Sequence, residues 1–501
     1  MLSKKERPHI WARRIKEFWK EYRRNKLGLI GLGLLLIFAI MAFGAPYLTP
    51  YDPLHSTNLA GSRAKPIWMS FFVGYQKLSR NIQPIKDPGF NSQESLKNWQ
   101  IADQTTAISV SYSGDVGNPS GSGLGSVLVK FSRENKGFTY GKLSKNLELA
   151  FDNPYEPPQR FTADLSWKAV VSGSASCRIG VLIRDPKGAL YSLWDSPVIA
   201  SASDEWSTPS PRIDSWTPQI RLRITDDLLG SAEKAIFSSE GKYALVVRTT
   251  FTDENASDTP KIEIYLDDVN FRTYGDAFGL LGTDQFGADL FSQLVYGARL
   301  SLIIGILAAT LSVFIGTVVG LVAGYFGGTL DEVLMRFNDM LLVLPGLPLL
   351  LILIAVLGPT IWNLVILIGL LGFMGVARII RSQVLSLRER AFIEAARAVG
   401  AGSYRIMFRH ILPNVMSLAF AQLALFAPAA ITTEAALSWL GLGDPTVPTW
   451  GRMLFLAHYY GVLKEWWWIV FPGLSIALIS VAFIFIGHAM DEILNPRLRR
   501  R

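Results

Sequence analysis

Residues 340–377 read MLLVLPGLPLLLILIAVLGPTIWNLVILIGLLGFMGVA, 38 positions without one Asp, Glu, Lys or Arg. A bilayer core is crossed by about 20 apolar residues in a helix, so this run is too long for one span. Gly358-Pro359 falls near its middle and is a turn pair that predicts two antiparallel spanning helices. Outward from this stretch, the uncharged runs 27–51, 300–330, 410–433 and 466–490 each have the length of one span. The expected count is six. The whole chain of 501 residues is 50% hydrophobic but still 18% charged, with net charge +8. That mixture fits a membrane part joined to a water-exposed part better than either alone.

The basic residues set the expected orientation. Residues 1–26 carry ten Lys or Arg against three acids, 376–414 carry seven Arg against two acids, and the chain ends in PRLRRR. Loop 438–467 has only Arg452 and Lys464. With six spans both termini share a side and all three basic segments fall on it, which the positive-inside rule makes the cytoplasm. The first apolar run is long for a signal peptide and lacks a small-x-small cleavage site before Pro46 and Pro50. The N-terminal WARRIKEFWKEYRRNK is amphipathic and basic, and its adjacency to a span makes it an interfacial anchor on the lipid bilayer rather than a nucleic-acid contact.

Between the first two spans the composition changes. SVLVKF, CRIGVLIRD, QIRLRI, YALVVRTTF and KIEIYLDDVNF alternate apolar and polar residues between Gly, Ser, Asp, Asn and Pro clusters, which predicts half-buried antiparallel strands. Many short strands at this spacing predict a β-sandwich over 88–274 on the external side. The segment resembles the jelly-roll sandwiches of carbohydrate-binding modules, which implies sugar stacking on Trp99, Trp167, Trp194, Trp206 or Trp216. The competing reading places these indoles in the core and leaves the domain a docking role. The rest divides into a cytoplasmic N-terminus (1–26), a first span (27–49), an external connector (50–87) and an external interfacial segment (275–298). A five-helix core (299–491) and a cytoplasmic basic tail (492–501) follow.

One cytoplasmic loop, 388–413, has a distinctive pattern. In EAARAVGAGSYRIMFRHILP (394–413) a short helix opens at Glu394, Ala395 and Ala396, with Gly400 and the small side chains allowing close approach of another protein. Arg397, Arg405 and Arg409 flank it. Leu412-Pro413 is expected to end it and to start the next span. On physical grounds this is an interaction element facing the cytosol, with the partner left open.

The stretch resembles the EAA loop of ABC importer permeases: Glu-Ala-Ala, three residues, Gly, nine residues, Ile, any residue, Leu-Pro. Gly400, Leu412 and Pro413 fall in register, while His410 occupies the Ile position, as in many peptide-transporter permeases. LGTDQFGADLFSQLVYGARLSL, GYFGGTLDEVLMRFNDMLLVLP, TTEAALSWLGLG and FPGLSIALISVAFIFIGHAMDEILNPRLR extend the resemblance over about 250 residues. Gly279 and Ala288 stand where the dipeptide and oligopeptide importers have His and Arg, and the insert is larger than theirs. The resemblance implies an α-helical polytopic membrane protein of six transmembrane helices with the ABC importer permease fold and an inserted all-β sandwich. It further implies half of a pore for di- or oligopeptides in the bacterial inner membrane. The partners would be a second permease, an external substrate-binding protein and two ATPase subunits that hold ATP and Mg and grip Glu394, Ala395, Ala396, Arg397, Gly400, Arg405, Leu412 and Pro413. Nickel chelates or other small solutes are alternative cargoes of such relatives.

The chain has no Gly-x-x-x-x-Gly-Lys-Ser/Thr loop, so no ATPase or other enzymatic role is expected of it, and no cofactor. GSGLG at 121–125 lacks the Lys and reads as a turn. The five His residues have no pair at ligand spacing and Cys177 stands alone, so no metal site is expected. Glu434, after a 24-residue uncharged run (410–433), is a candidate for the external mouth of the pathway or for a headgroup-level residue capped by Thr432 and Thr433. Pro345, Pro348 and Pro428 should mark kinks. A membrane-anchored glycan-binding protein would need only one span. A secondary transporter would show paired intramembrane charges or inverted repeats.

Overall fold

A computed structural model describes residues 19–102, 106–121, 123–462 and 464–494. Residues 11–18 of the predicted N-terminal anchor and 495–501 of the 492–501 tail lie outside the described residues. The chain divides into a helical unit, residues 1–56 with 290–501, and a second unit, 57–289.

In the helical unit α1 (Lys26–Leu48) starts at Asn25, whose side chain accepts the Gly28 N–H at 2.8 Å. Then come α2 (Leu290–Phe326), α3 (Gly328–Val343), α4 (Gly346–Leu357) and α5 (Ile361–Arg388). The short α6 (Ala391–Ala398) precedes α7 (Ser403–Leu442), α8 (Trp450–Tyr459) and α9 (Trp466–Leu494). Five of these, α1, α2, α5, α7 and α9, are each long and apolar enough to cross a membrane.

The opening stretch departs from expectation in its first half. Gly358 does end a helix at φ 90°, and the Thr360 side chain caps α5 by accepting from Asn363 N at 3.2 Å. Before that turn, however, the chain forms no straight span. The amphipathic α3 meets α4 at a bend of 86°. Pro345 has no N–H to donate and pushes Leu344 into an extended conformation (ψ 134°), so the helix cannot continue through them. At 12 residues α4 is about 18 Å long and does not span alone. A count of six therefore holds only if the bent pair is taken as one broken span. Pro428, by contrast, sits inside a helix that continues through it.

Helix α2 packs on α5 through glycines at four-residue spacing. A Cβ added at Gly316 would lie 2.7 Å from the Val376 Cβ, at Gly320 2.5 Å from the Ala377 carbonyl oxygen, and at Gly324 2.8 Å from the Val384 Cβ. Small residues let two backbones close up where lipid supplies no hydrophobic drive for helix pairing. Gly28 and Gly31 of α1 make the same kind of approach to Ala489 and Ala482 of α9.

The second unit is a sandwich of two five-stranded antiparallel sheets. One has the order β1-β4-β9-β6-β7: β1 (Gln100–Ala102), β4 (Gly141–Asn153), β9 (Gly241–Asp253), β6 (Ser176–Arg184) and β7 (Leu190–Asp195). The other is β2-β3-β10-β5-β8: β2 (Ile108–Ser113), β3 (Ser126–Ser132), β10 (Lys261–Tyr274), β5 (Arg160–Ser172) and β8 (Ile213–Asp214). Every second residue faces in: Val127, Val129 and Phe131 of β3 meet Ile179, Val181 and Ile183 of β6 and Leu245, Val247 and Phe251 of β9 in one core. On β10 the inward set is Ile262, Ile264 and Leu266, then Val269 and Phe271. A bulge at Asp267–Asn270, with Asp268 at φ 50°, moves the inward face by one residue. Asp267 is buried there, and burial pushes its carboxyl up to about 6 against the N–H donors of Asn118 and Asp268.

Two expectations change here. QIRLRI is not a strand but part of a helix, Pro218–Thr225, with Pro218 in its first turn and Asp226 left-handed at its end. Proline pre-set for a first helical turn outweighed the apparent alternation. The compact unit also reaches beyond 88–274 at both ends. Asn58 N and Leu59 N donate to the carbonyls of Phe286 and Gly287, and Lys65 N to that of Asp276, so connector and pre-helix segment form one layer.

Candidate functional site

The basic loop after α5 is built on an apolar anchor. Ile393 of α6 and Ile406, Met407 and Ile411 of α7 are buried against Leu321 and Tyr325 of α2 and Ile380 and Val384 of α5. These four side chains hold one face of the segment, so the other face is fixed in place and exposed. Glu394, Ala395 and Arg397 lie on the exposed face, and Ala396 is half-buried. Arg405 and Pro413 are exposed, and Leu412 is half-buried against the anchor.

Helix α6 ends at Gly400 rather than at Leu412-Pro413. Gly400 is left-handed at φ 82°, its N–H bonds the Arg397 carbonyl at 2.9 Å, and Ala401 N bonds the Ala396 carbonyl at 3.0 Å. This reciprocal pair closes the open carbonyls of a helix end and favours glycine at the left-handed position. Nothing lies within 4 Å of a Cβ built on Gly400, so within this chain it is the φ angle that calls for glycine. At Leu412-Pro413 the helix runs on: a π-turn, Met407–Ile411, precedes the proline. The wider turn accommodates a ring that would otherwise press on the carbonyl four residues back.

Beside this helix end lies an open depression of about 820 Å³ lined by Gly400, Gly402, Tyr404, Arg405, Phe408 and Arg409. Tyr404 and Phe408 pack at 4.5 Å between centroids. Val399 is 88% exposed and Tyr404 74%. The segment thus combines exposed apolar groups, guanidinium groups and one carboxylate on a rigid base, a composition suited to docking a protein.

Sequence reading missed a second charged group. Arg381 bonds both oxygens of Asp331 at 2.5 Å, Arg378 bonds Asp339 at 2.6 Å, and Arg388 donates to the Tyr325 carbonyl at 3.2 Å. These contacts fasten α3 and the end of α2 to α5, just before the Glu394–Gly400 segment. The signal was available: Asp331 and Asp339 share one face of α3, and Arg378 and Arg381 one face of α5.

Glu434 is 1% exposed and enclosed within this chain. Its Oε1 accepts from Ser438 Oγ at 2.7 Å and Thr449 Oγ1 at 2.9 Å, and Thr449 in turn caps α8. Thr432 instead bonds the Pro428 carbonyl. In the sandwich, Trp99, Trp167 and Trp194 are core residues, which removes them as open sugar platforms. Trp206 is half-buried. Trp216 is 44% exposed, with the Arg160 guanidinium 4.8 Å from its ring.

The comparisons with known proteins converge on the helical unit. The family model described as binding-protein-dependent transport system inner membrane component matches residues 316–500, and the N-terminal TM domain of oligopeptide transport permease C matches 14–66. The dipeptide transport system permease protein DppC of Alkalihalophilus pseudofirmus is 41% identical over 219 residues, which is 44% of this chain and 72% of that protein. The chain belongs to this permease family. The di/tripeptide transport system permease DppC of Pseudomonas aeruginosa is 39% identical to the permease over 226 residues, 45% of this chain and 74% of the relative. Among solved structures, a family 22 carbohydrate-binding module of Clostridium thermocellum Xyn10B covers 39% of the permease and 100% of its own chain, at 13% identity and a TM-score of 0.22. A tailspike protein domain of bacteriophage CBA120 covers 38% of the permease and 21% of its own chain, at 12% identity and a TM-score of 0.22. Such scores carry no argument; the sandwich of the permease stands on its own strand pairing.

Proposed function

We propose that this permease forms half of the transmembrane pathway of an ATP-driven importer of short peptides, and that the face of α6 and the start of α7 is where its ATPases dock. The observation that carries this reading is the exposed Glu394–Gly400 segment, shaped by the Gly400 helix end and held by Ile393, Ile406 and Ile411. A force applied to that face by closing ATPases would pass directly into α2, α5 and α7, on which the anchor rests. Glu394, Arg397 and Arg405 supply polar contacts, Ala395 and Ala396 a close approach, and Leu412 and Pro413 the continuous joint with α7. ATP and Mg2+ belong to the partner subunits, and an external binding protein delivers cargo. Relatives named as dipeptide and di/tripeptide permeases support peptides as that cargo. Both termini and the docking loop face the cytosol in this reading, and the sandwich lies outside the bacterial inner membrane.

The test uses Glu394→Lys, which changes an exposed charge, and Gly400→Val, which places a branched side chain at a left-handed φ. Both variants should insert, and Glu394→Lys should keep its melting temperature while Gly400→Val lowers it, and both should lose co-purification of the ATPases and peptide uptake. Undiminished ATPase binding and uptake in both would sink the assignment. Sidedness is read with impermeant maleimide on Ser403→Cys and Lys187→Cys. Cys177 gives little background, because burial pushes its thiol up to about 12. Labelling of intact cells at residue 403 would refute the orientation.

A further inference from the structure

Within the helical unit, α2 and α7 leave a groove between them that has no task in the pathway just described. The two helices run antiparallel: Gly305 abuts Ile431, while Leu321 and Met407 share one core cluster. The groove has a volume of about 410 Å³ and is lined by Phe314, Thr317 and Val318 of α2 and Leu412, Met416 and Phe420 of α7. Phe314, Val318 and Phe420 are exposed at its rim. Along α2 it runs from Thr310 to Val322, about 18 Å at 1.5 Å per residue.

Size, charge and one polar group limit what fills it. Spread over its length, 410 Å³ gives a mean width of about 5 Å, half the roughly 10–12 Å diameter of a helix with its side chains. A single acyl chain fits such a slot and a spanning helix does not. The length also suits one leaflet, which is about 15 Å deep in a hydrocarbon core of about 30 Å. At one end the groove reaches Phe408, which also lines the depression holding Arg405 and Arg409. Arg336, Arg378 and Arg381 each pair with a carboxylate. Arg405 and Arg409, one turn apart on α7, are exposed, and among the described residues no ion pair or hydrogen bond engages them. Thr317 is 7% exposed and its Oγ1 has no hydrogen-bond partner, whereas Thr310 Oγ1 donates to the Ile306 carbonyl at 2.7 Å. Five residues from Val322, Thr317 lies about 8 Å along α2 from the basic end. A buried hydroxyl left open there calls for an outside acceptor.

We propose that this groove binds one anionic phospholipid. An acyl chain fills the slot between α2 and α7, the phosphate meets Arg409 and Arg405, and the Thr317 hydroxyl donates to an ester carbonyl. Guanidinium forks match phosphate oxygens, and basic pockets between spans favour anionic headgroups. A zwitterionic lipid would bring its own ammonium against the same two cations. ATPase docking uses neither Arg409 nor the groove, so the lipid site and the docking face fail separately.

The experiment is native mass spectrometry of the full-length permease, released from detergent after equilibration with equal amounts of phosphatidylglycerol and phosphatidylethanolamine. The unchanged protein should retain one phosphatidylglycerol in preference. Arg409→Gln should cut that retention about fivefold, the worth of one basic residue at an anionic lipid, and Arg409→Lys should restore most of it. Val318→Trp fills the slot from its open rim and should abolish retention without moving the melting temperature. Phosphatidylglycerol held equally by Arg409→Gln, or still held by Val318→Trp, overturns the site. In native membranes, Phe420→Cys carrying a short cross-linker should capture lipid. Capture of a second permease subunit there instead overturns the lipid in favour of a protein occupant.

Discussion

The two units of this chain bury opposite kinds of surface. In the sandwich, Phe131, Phe251 and Phe271 are wholly inside, and polar residues alternate with them on the outer faces of the sheets. In the helical unit Trp450 and Trp468 are also buried, but many large apolar side chains turn outward: Phe43 is 82% exposed, Val343 83% and Phe314 66%, while small residues such as Gly316, Gly320 and Gly324 fill close contacts between helices. The same hydrophobic content is sorted by two solvents. Water drives large side chains into a core, whereas lipid leaves them outside and selects interiors by close packing.

This contrast can be broken most sharply by one substitution in each unit. Phe251→Ala removes a core ring stacked on Phe131 at 5.2 Å and should cost about 3–5 kcal/mol. Phe314→Ala, on the outward face of α2, should change stability in detergent by less than about 0.5 kcal/mol. Unfolding curves of the two variants decide it, and equal losses would erase the distinction. Next in size is the glycine contact. Gly320→Val should lower stability by about 1–3 kcal/mol, because the added carbons meet the backbone of α5. Gly375→Val, where an added Cβ meets nothing within 4 Å, should be mild by comparison. Thermal melts of purified protein separate them, and equal melting temperatures would remove the close-packing account of α2 on α5.

The smallest expected effect belongs to a polar group in the dry sandwich core. The Asp267 carboxyl is pushed up to about 6 in the folded protein, from an ordinary value of 3.8. Between those values the folded state holds more protons than the unfolded state, so stability falls as pH rises from about 4 to about 6 and levels off above. The change is read by amide hydrogen exchange on β3 and β10 after correction for the intrinsic pH dependence of exchange. Asp267→Asn should flatten that slope. A slope that survives the substitution would assign it to another group.

Much of both units was legible because each states its solvent in its period. Uncharged runs at 27–51, 300–330 and 466–490 became α1, α2 and α9, and the alternation in SVLVKF, CRIGVLIRD and KIEIYLDDVNF became β3, β6 and β10. Legibility failed where a local device overrode the period. Pro345 broke a run that composition alone made continuous, Pro218 turned an alternating hexapeptide into helix, and Pro413 widened a helix that it was expected to start. In the Glu394–Pro413 segment the residue that ends α6 was misjudged, because a left-handed φ at Gly400 leaves no mark beyond the glycine itself.

What the sequence by itself determined is the division into a lipid-facing and a water-facing part and the identity of the exposed Glu-Ala-Ala-Gly segment, since burial period and charge placement are local properties. Tertiary structure alone decided that Arg378 and Arg381 are matched to Asp339 and Asp331, and that Glu434 is enclosed by Ser438 and Thr449. It also decided that Phe71 to Val73 stay outside while Trp167 goes in. Each of these depends on which segments distant in the chain come within a few ångströms, and the free energy of such contacts is settled only when both partners are packed.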